Sequence, residues 1–182
     1  MKKAKLNKEI IIEKMIELAH ILKYDYININ YLKKAMYSVK LNKKSDDGKN
    51  HKEYSNDAMA TPGDALIKFV LSDYLYSFDF EKDEITNIKG EIESNESFVN
   101  IRDNVLAIKN YAYNDYNFYP SNRYNMQVSM PKHDSYIEAI VYAIYRDRGY
   151  RYTKKWIIDF LKANTKLDDL IYNQKAKDLG NV

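Results

Sequence analysis

At 182 residues with no cysteine, the chain is long enough to bury a core in one domain, and disulfides and thiolate zinc sites are excluded. A formal charge of +3 is too mild to argue for nucleic-acid binding by itself, and no run approaches the roughly 20 apolar residues of a membrane span. The basic start, Met1 to Lys5, leads into apolar residues interrupted by Glu9 and Glu13, so no signal-peptide core is present and a cytoplasmic protein is expected. The 18 tyrosines accompany many Lys, Asn and Ile residues, the pattern of an AT-rich genome rather than of a base-stacking surface.

Apolar residues recur every three or four positions and almost never alternate, which predicts an all-α domain. Ile10, Ile11, Met15, Leu18, Ala19 and Leu22 line a first helix, with His20 on its apolar face. Asn28 then reads as an N-cap opening a short helix through Tyr31, Leu32, Ala35, Met36 and Val39. Residues 40–60 are polar and read as a loop. An amphipathic helix follows with Ala65, Leu66, Phe69, Val70, Tyr74 and Leu75. Asp83 or Glu84 starts the next, through Ile85, Ile88 and Ile92, and Ser94 caps one with Phe98, Ile101, Val105 and Leu106. Residues 110–131, rich in Tyr and Asn and holding Pro120 and Pro131, read as a long connection. A helix through Ile137, Ile140, Val141 and Ile144 stops near Gly149, and Thr153 caps another with Trp156, Ile157, Phe160 and Leu161. The expected division is a domain over 1–163 and a polar C-terminal tail over 164–182.

Two segments resemble ribonuclease III. Gly63-Asp64-Ala65-Leu66 through Tyr74-Leu75-Tyr76 looks like the family's signature helix, roughly LEFLGDAVLxxxxxxYLY. Glu138-Ala139-Ile140 through Ala143-Ile144-Tyr145, then Asp147 and Gly149, is similar to its DxxEALxGAIYxDxG. Tyr31 to Met36 resembles the family's LLxxALTH, and Ile85 to Lys89 with Ser94-Asn95-Glu96 resembles LTxLR…VSxE. The likeness runs in family order from about Tyr24 to Leu161. It implies a helical endonuclease domain acting as a homodimer on double-stranded RNA with Mg²⁺ or Mn²⁺, leaving 5′-phosphates and short 3′ overhangs. No double-stranded RNA-binding domain is expected after Leu161, which resembles the small Mini-ribonuclease III group.

Such a site needs carboxylates set side by side, at i, i+4 on the first helix and i, i+3 on the second. Asp64 matches the Asp of GDA and Glu138 the Glu of DxxEAL, so these two are the expected catalytic and metal-binding residues. The other two positions carry Ala60 and Ser135. Mini-ribonuclease III also lacks those two acids. Asp134, four residues before Glu138, is a candidate substitute ligand; Asp57 and Glu96 match further acidic positions and are candidate helpers. The bland alternatives are a helix-start acid for Asp64, a solvated edge for Glu138, an N-cap for Asp134 and surface charge for Asp57 and Glu96. Thr61-Pro62-Gly63-Asp64 predicts a helix that begins at Pro62 with Thr61 outside it, and Thr61 replaces a bulky residue of the family dimer contact. Lys43, Lys44, Lys49, His51 and Lys52 form the densest basic run, and His133 adjoins Asp134. No Ser-His-Asp order or phosphate loop stands out. The functional alternative is a degenerate ribonuclease III-like domain serving as an RNA-binding or dimerisation scaffold.

Overall fold

A computed structural model describes residues 6–37, 56–114, 118 and 135–180, and the three-and-four periodicity becomes helix throughout. Helix α1 (Lys8–Ile21) starts at Asn7, whose side chain accepts from Glu9 N at 2.8 Å. Helix α2 (Asn30–Met36) has Ile29 at its N-cap rather than Asn28, whose Oδ1 accepts from Asn30 N at 3.1 Å. Helix α3 spans Asn56–Tyr76. Helix α4 (Lys82–Ile92) opens on a reciprocal capping box between Glu81 and Glu84. Ser94 caps α5 (Asn95–Asn100), which runs into a π turn over Ile101–Val105 and a 3₁₀ turn over Ile108–Asn110. Helix α6 (Tyr136–Asn164) is broken at Gly149, and α7 spans Leu167–Gly180. Among the described residues no strand forms; the β contacts are isolated bridges, Tyr37 with Tyr113 and Tyr113 with Phe118. No helix of the described residues is long and apolar enough to cross a membrane.

Helices α3 and α6 make the most extensive contact and lie at the centre, as their sequence patterns predict. From α3, Ala60, Gly63, Ile67, Val70, Leu71 and Leu75 are buried, and from α6 Ile137, Ala139, Ile140, Ala143 and Ile144. Each large apolar side chain buried here contributes about 2 kcal/mol. Trp156 Nε1 donates to Leu22 O at 2.9 Å and fixes the second half of α6 on α1. Leu167 and Ile171 of α7 are also buried in the core, and Gln174 donates to Glu84 of α4.

The signature helix does not begin at Pro62. Helix α3 runs unbroken from Asn56, with Pro62 inside it. A proline there removes the hydrogen bond to Ala58 O and crowds that carbonyl, a cost of about 3 kcal/mol. The buried seam outweighs it. Asn56, Ala60, Gly63 and Ile67 are all buried at alternating spacings of four and three, and Asn56 N donates to Tyr37 O at 3.3 Å. Ala58 itself is exposed. The seam begins with Asn, Ala and Gly, which carry no apolar signal, and residues 56–60 therefore read as loop in the sequence.

Two smaller readings also change. Thr153 is not a cap: it is fully buried within α6, and its hydroxyl donates back to Gly149 O at 2.9 Å. His20 is exposed in the last turn of α1, not packed.

Asp147 ties α6 to the connection between α1 and α2. It accepts from the Tyr24 hydroxyl at 2.5 Å, Ile27 N at 2.7 Å and Asn28 N at 2.8 Å. Burial first, and Asp147 second, hold the Tyr24 hydroxyl proton far more firmly than usual. Tyr111 donates to Glu17 and Tyr113 to Lys33 O, so these tyrosines serve as cross-links between elements.

Candidate active site

The site grows from the crossing of α3 and α6 at Gly63. A Cβ placed on Gly63 would stand 1.8 Å from the Glu138 carbonyl oxygen. Only glycine allows this approach, and it sets Asp64, the next residue, beside the start of α6. Asp64 is the ninth residue of α3, two turns inside, so it is not a helix-start acid. Glu138 instead holds the first-turn place, on α6, where a carboxylate also suits the helix dipole; it is half-buried.

Asp57 comes to the same region. Ser135, which stands where the family carries its second-helix Asp, donates its hydroxyl to Asp57 Oδ1 at 2.9 Å. Two turns of α3 thus present Asp57 and Asp64 towards the start of α6. Ala60 lies between them, nine-tenths buried in the seam. Glu96 is exposed in the first turn of α5 and, among the described residues, forms no hydrogen bond or ion pair, so nothing joins it to Asp64 or Glu138. Asp134, His133, His51 and Lys43, Lys44, Lys49 and Lys52 lie outside the described residues.

Two charged residues that the sequence did not single out face this site. Lys68, one turn beyond Asp64 on α3, places Nζ 2.8 Å from Asp64 Oδ2. The hydrogen bond to Asp64, then the charges of Glu93 and Glu138, raise the pKa of this ammonium above the ordinary lysine value. Glu93, at the end of α4, has its Oε1 buried without a hydrogen-bond partner. Burial raises its carboxyl above the ordinary value; Lys89 and Lys68 oppose this, and Asp64 adds to it. Lys89 Nζ donates to Ser72 Oγ at 2.7 Å, in a groove of about 680 Å³ between α3 and α4 that Glu93 also lines. The i, i+4 relation of Asp64 and Lys68 was legible in the sequence. Glu93 had no such signal, because a different helix delivers it.

Among the described residues, no three acidic or histidine side chains are grouped closely enough to cage a metal ion. Mg²⁺ does not require such a cage, since it keeps several waters and takes one or two carboxylates together with substrate phosphates. The two acids expected to hold such an ion, Asp64 and Glu138, lie on the crossing helices α3 and α6.

No protein-family model matches the chain. A probable ribonuclease 3 of Acanthamoeba polyphaga mimivirus is 25% identical over 158 residues, which is 85% of this chain. The chain spans 26% of that relative's length. Among solved structures, the nuclease domain of ribonuclease III from Campylobacter jejuni, described for structural flexibility in its dimer-forming region, superposes with a TM-score of 0.59 at 21% identity. The match covers 84% of this chain and 97% of that one. With the helix order and the glycine crossing, these likenesses show that the chain has a ribonuclease III-like fold, divergent in sequence.

Proposed function

We propose that the chain is a ribonuclease III-type endoribonuclease that cleaves double-stranded RNA in the cytoplasm, as a homodimer, using Mg²⁺ or Mn²⁺. The observation that supports the reading is the close contact of Gly63, the residue before Asp64, with the main chain of Glu138. Asp64 and Glu138 are the residues that would hold a divalent ion, which when bound would supply an activated water and stabilisation of the leaving oxygen. The residues of the chain do the positioning. Asp64 and Glu138 would hold the ion from two helices in contact at Gly63, and Asp57, bonded by Ser135, adds negative charge at the same edge. Duplex RNA is selected by shape and by phosphate and 2′-OH contacts. On α3, Thr61, Ala65 and Phe69 form an exposed stripe, with Phe69 57% exposed beside Tyr150, and this stripe is the surface for the second subunit.

The test is cleavage of long double-stranded RNA by purified protein in Mg²⁺ or Mn²⁺, with single-stranded RNA left intact. Asp64→Asn should abolish cutting and preserve duplex binding, because binding rests on phosphate contacts elsewhere. An Asp64→Asn protein that cuts like wild type overturns the proposal.

A second reading has its own support. Ala60 and Ser135 carry no carboxylate, and Ser135 is already bonded to Asp57, as suits a scaffold that binds duplex RNA or pairs with a second subunit. Wild-type protein that binds duplex RNA and cuts none under any divalent metal establishes that reading instead.

A further inference from the structure

An acidic site without its metal ion must be neutralised in some other way, or its carboxylates repel one another. Here the counter-charge is part of the chain. Lys68 Nζ stands 2.8 Å from Asp64 Oδ2, and the Lys68 and Asp64 side chains are 53% and 46% exposed. The same ammonium lies in the field of Glu138 and of Glu93. Three carboxylates from three helices thus converge electrostatically on one lysine. The other lysine acting on Glu93, Lys89, is engaged with Ser72. An exposed i, i+4 pair is weak and opens easily, so Lys68 can leave Asp64 without disturbing the fold.

We propose that Lys68 is a built-in competitor for the divalent cation: its ammonium occupies Asp64 in the RNA-free protein and must be displaced before a metal ion binds there. The proposal rests on the metal-dependent reading above. It makes free-ion affinity low, so that the ion binds effectively only when RNA phosphates add their oxygens.

The experiment is a Mn²⁺ titration of the full chain without RNA, reading free Mn²⁺ by electron paramagnetic resonance. Lys68→Gln should bind Mn²⁺ about tenfold more tightly than wild type, because one unit charge in contact with a ligand is gone. Lys68→Arg should stay near wild type. Lys155→Gln, which removes a charge from an 80% exposed side chain paired with Asp159, should leave affinity unchanged. Adding Asp64→Asn to Lys68→Gln should erase the gain. A Lys68→Gln affinity within twofold of wild type overturns the proposal, as does an equal gain from Lys155→Gln. If Asp64→Asn still weakens binding in those cases, the metal site stands and only the role of Lys68 falls. If no variant binds Mn²⁺, the proposal falls together with the metal-dependent reading.

Discussion

Gly63 lies directly on the main chain of Glu138: an added Cβ would stand 1.8 Å from the carbonyl oxygen and 2.6 Å from the carbonyl carbon. Neither atom is the end of a flexible side chain, so α3 and α6 themselves would have to separate. At an exposed helix position Gly→Ala gains about 1 kcal/mol. Here Gly63→Ala should cost about 3 kcal/mol, which for a domain of this size lowers Tm by roughly 6–12 °C. Thermal unfolding followed by circular dichroism reads the sign. A variant as stable as wild type would mean that the two helices do not meet at this glycine.

Asp147 should matter for stability and not for cutting. It accepts three hydrogen bonds from the α1–α2 connection, one of them from the buried Tyr24. Asp147→Ala leaves those donors without their charged partner, a loss of about 3 kcal/mol. It lies nine residues beyond Glu138, about 13 Å along α6. Denaturant unfolding should show the loss, while cleavage at a temperature where the variant is folded should match wild type. A stable variant with lost cleavage would move Asp147 into the site.

Glu93 gives a pH-dependent prediction. Burial raises its folded-state carboxyl pKa above the ordinary value of 4.5. The folded protein then holds that proton more tightly than the unfolded chain does. The resulting stabilisation is full below pH 4.5 and is lost as pH rises through the folded value. At neutral pH the buried charge is a penalty, and Glu93→Gln removes it. The variant should melt above wild type at pH 7, with the difference shrinking as pH falls towards 4.5. A variant less stable than wild type at pH 7 would show that the attraction of Lys68 and Lys89 outweighs desolvation.

Ser135→Asp restores a family carboxylate where the serine now meets Asp57 at 2.9 Å. Without metal the two acids repel, and stability should fall by about 1–2 kcal/mol. With Mn²⁺ the same pair becomes a ligand set, so millimolar Mn²⁺ should restore Tm in the variant and move wild type much less. Indifference to both the substitution and Mn²⁺ would remove Asp57 from the site.

The sequence alone determined the helical class and most helix positions, because each leaves a local mark: spacings of three and four, caps such as Ser94, and motif glycines; it also pointed to Asp64 and Glu138 as candidate acids. It misplaced the start of α3, since the local preference of Pro62 for a first turn was overridden by a buried seam of Asn56, Ala60 and Gly63 that carries no hydrophobic signal. The tertiary structure alone decided which charges meet. Ser135 joined Asp57 from 78 positions away, Asp147 proved to be a structural tie to Tyr24, and Glu93 came from α4 to face Lys68. Side-chain periodicity reports which face of a helix is buried, but what faces it depends on how distant helices cross, and here that crossing turns on the single missing Cβ of Gly63.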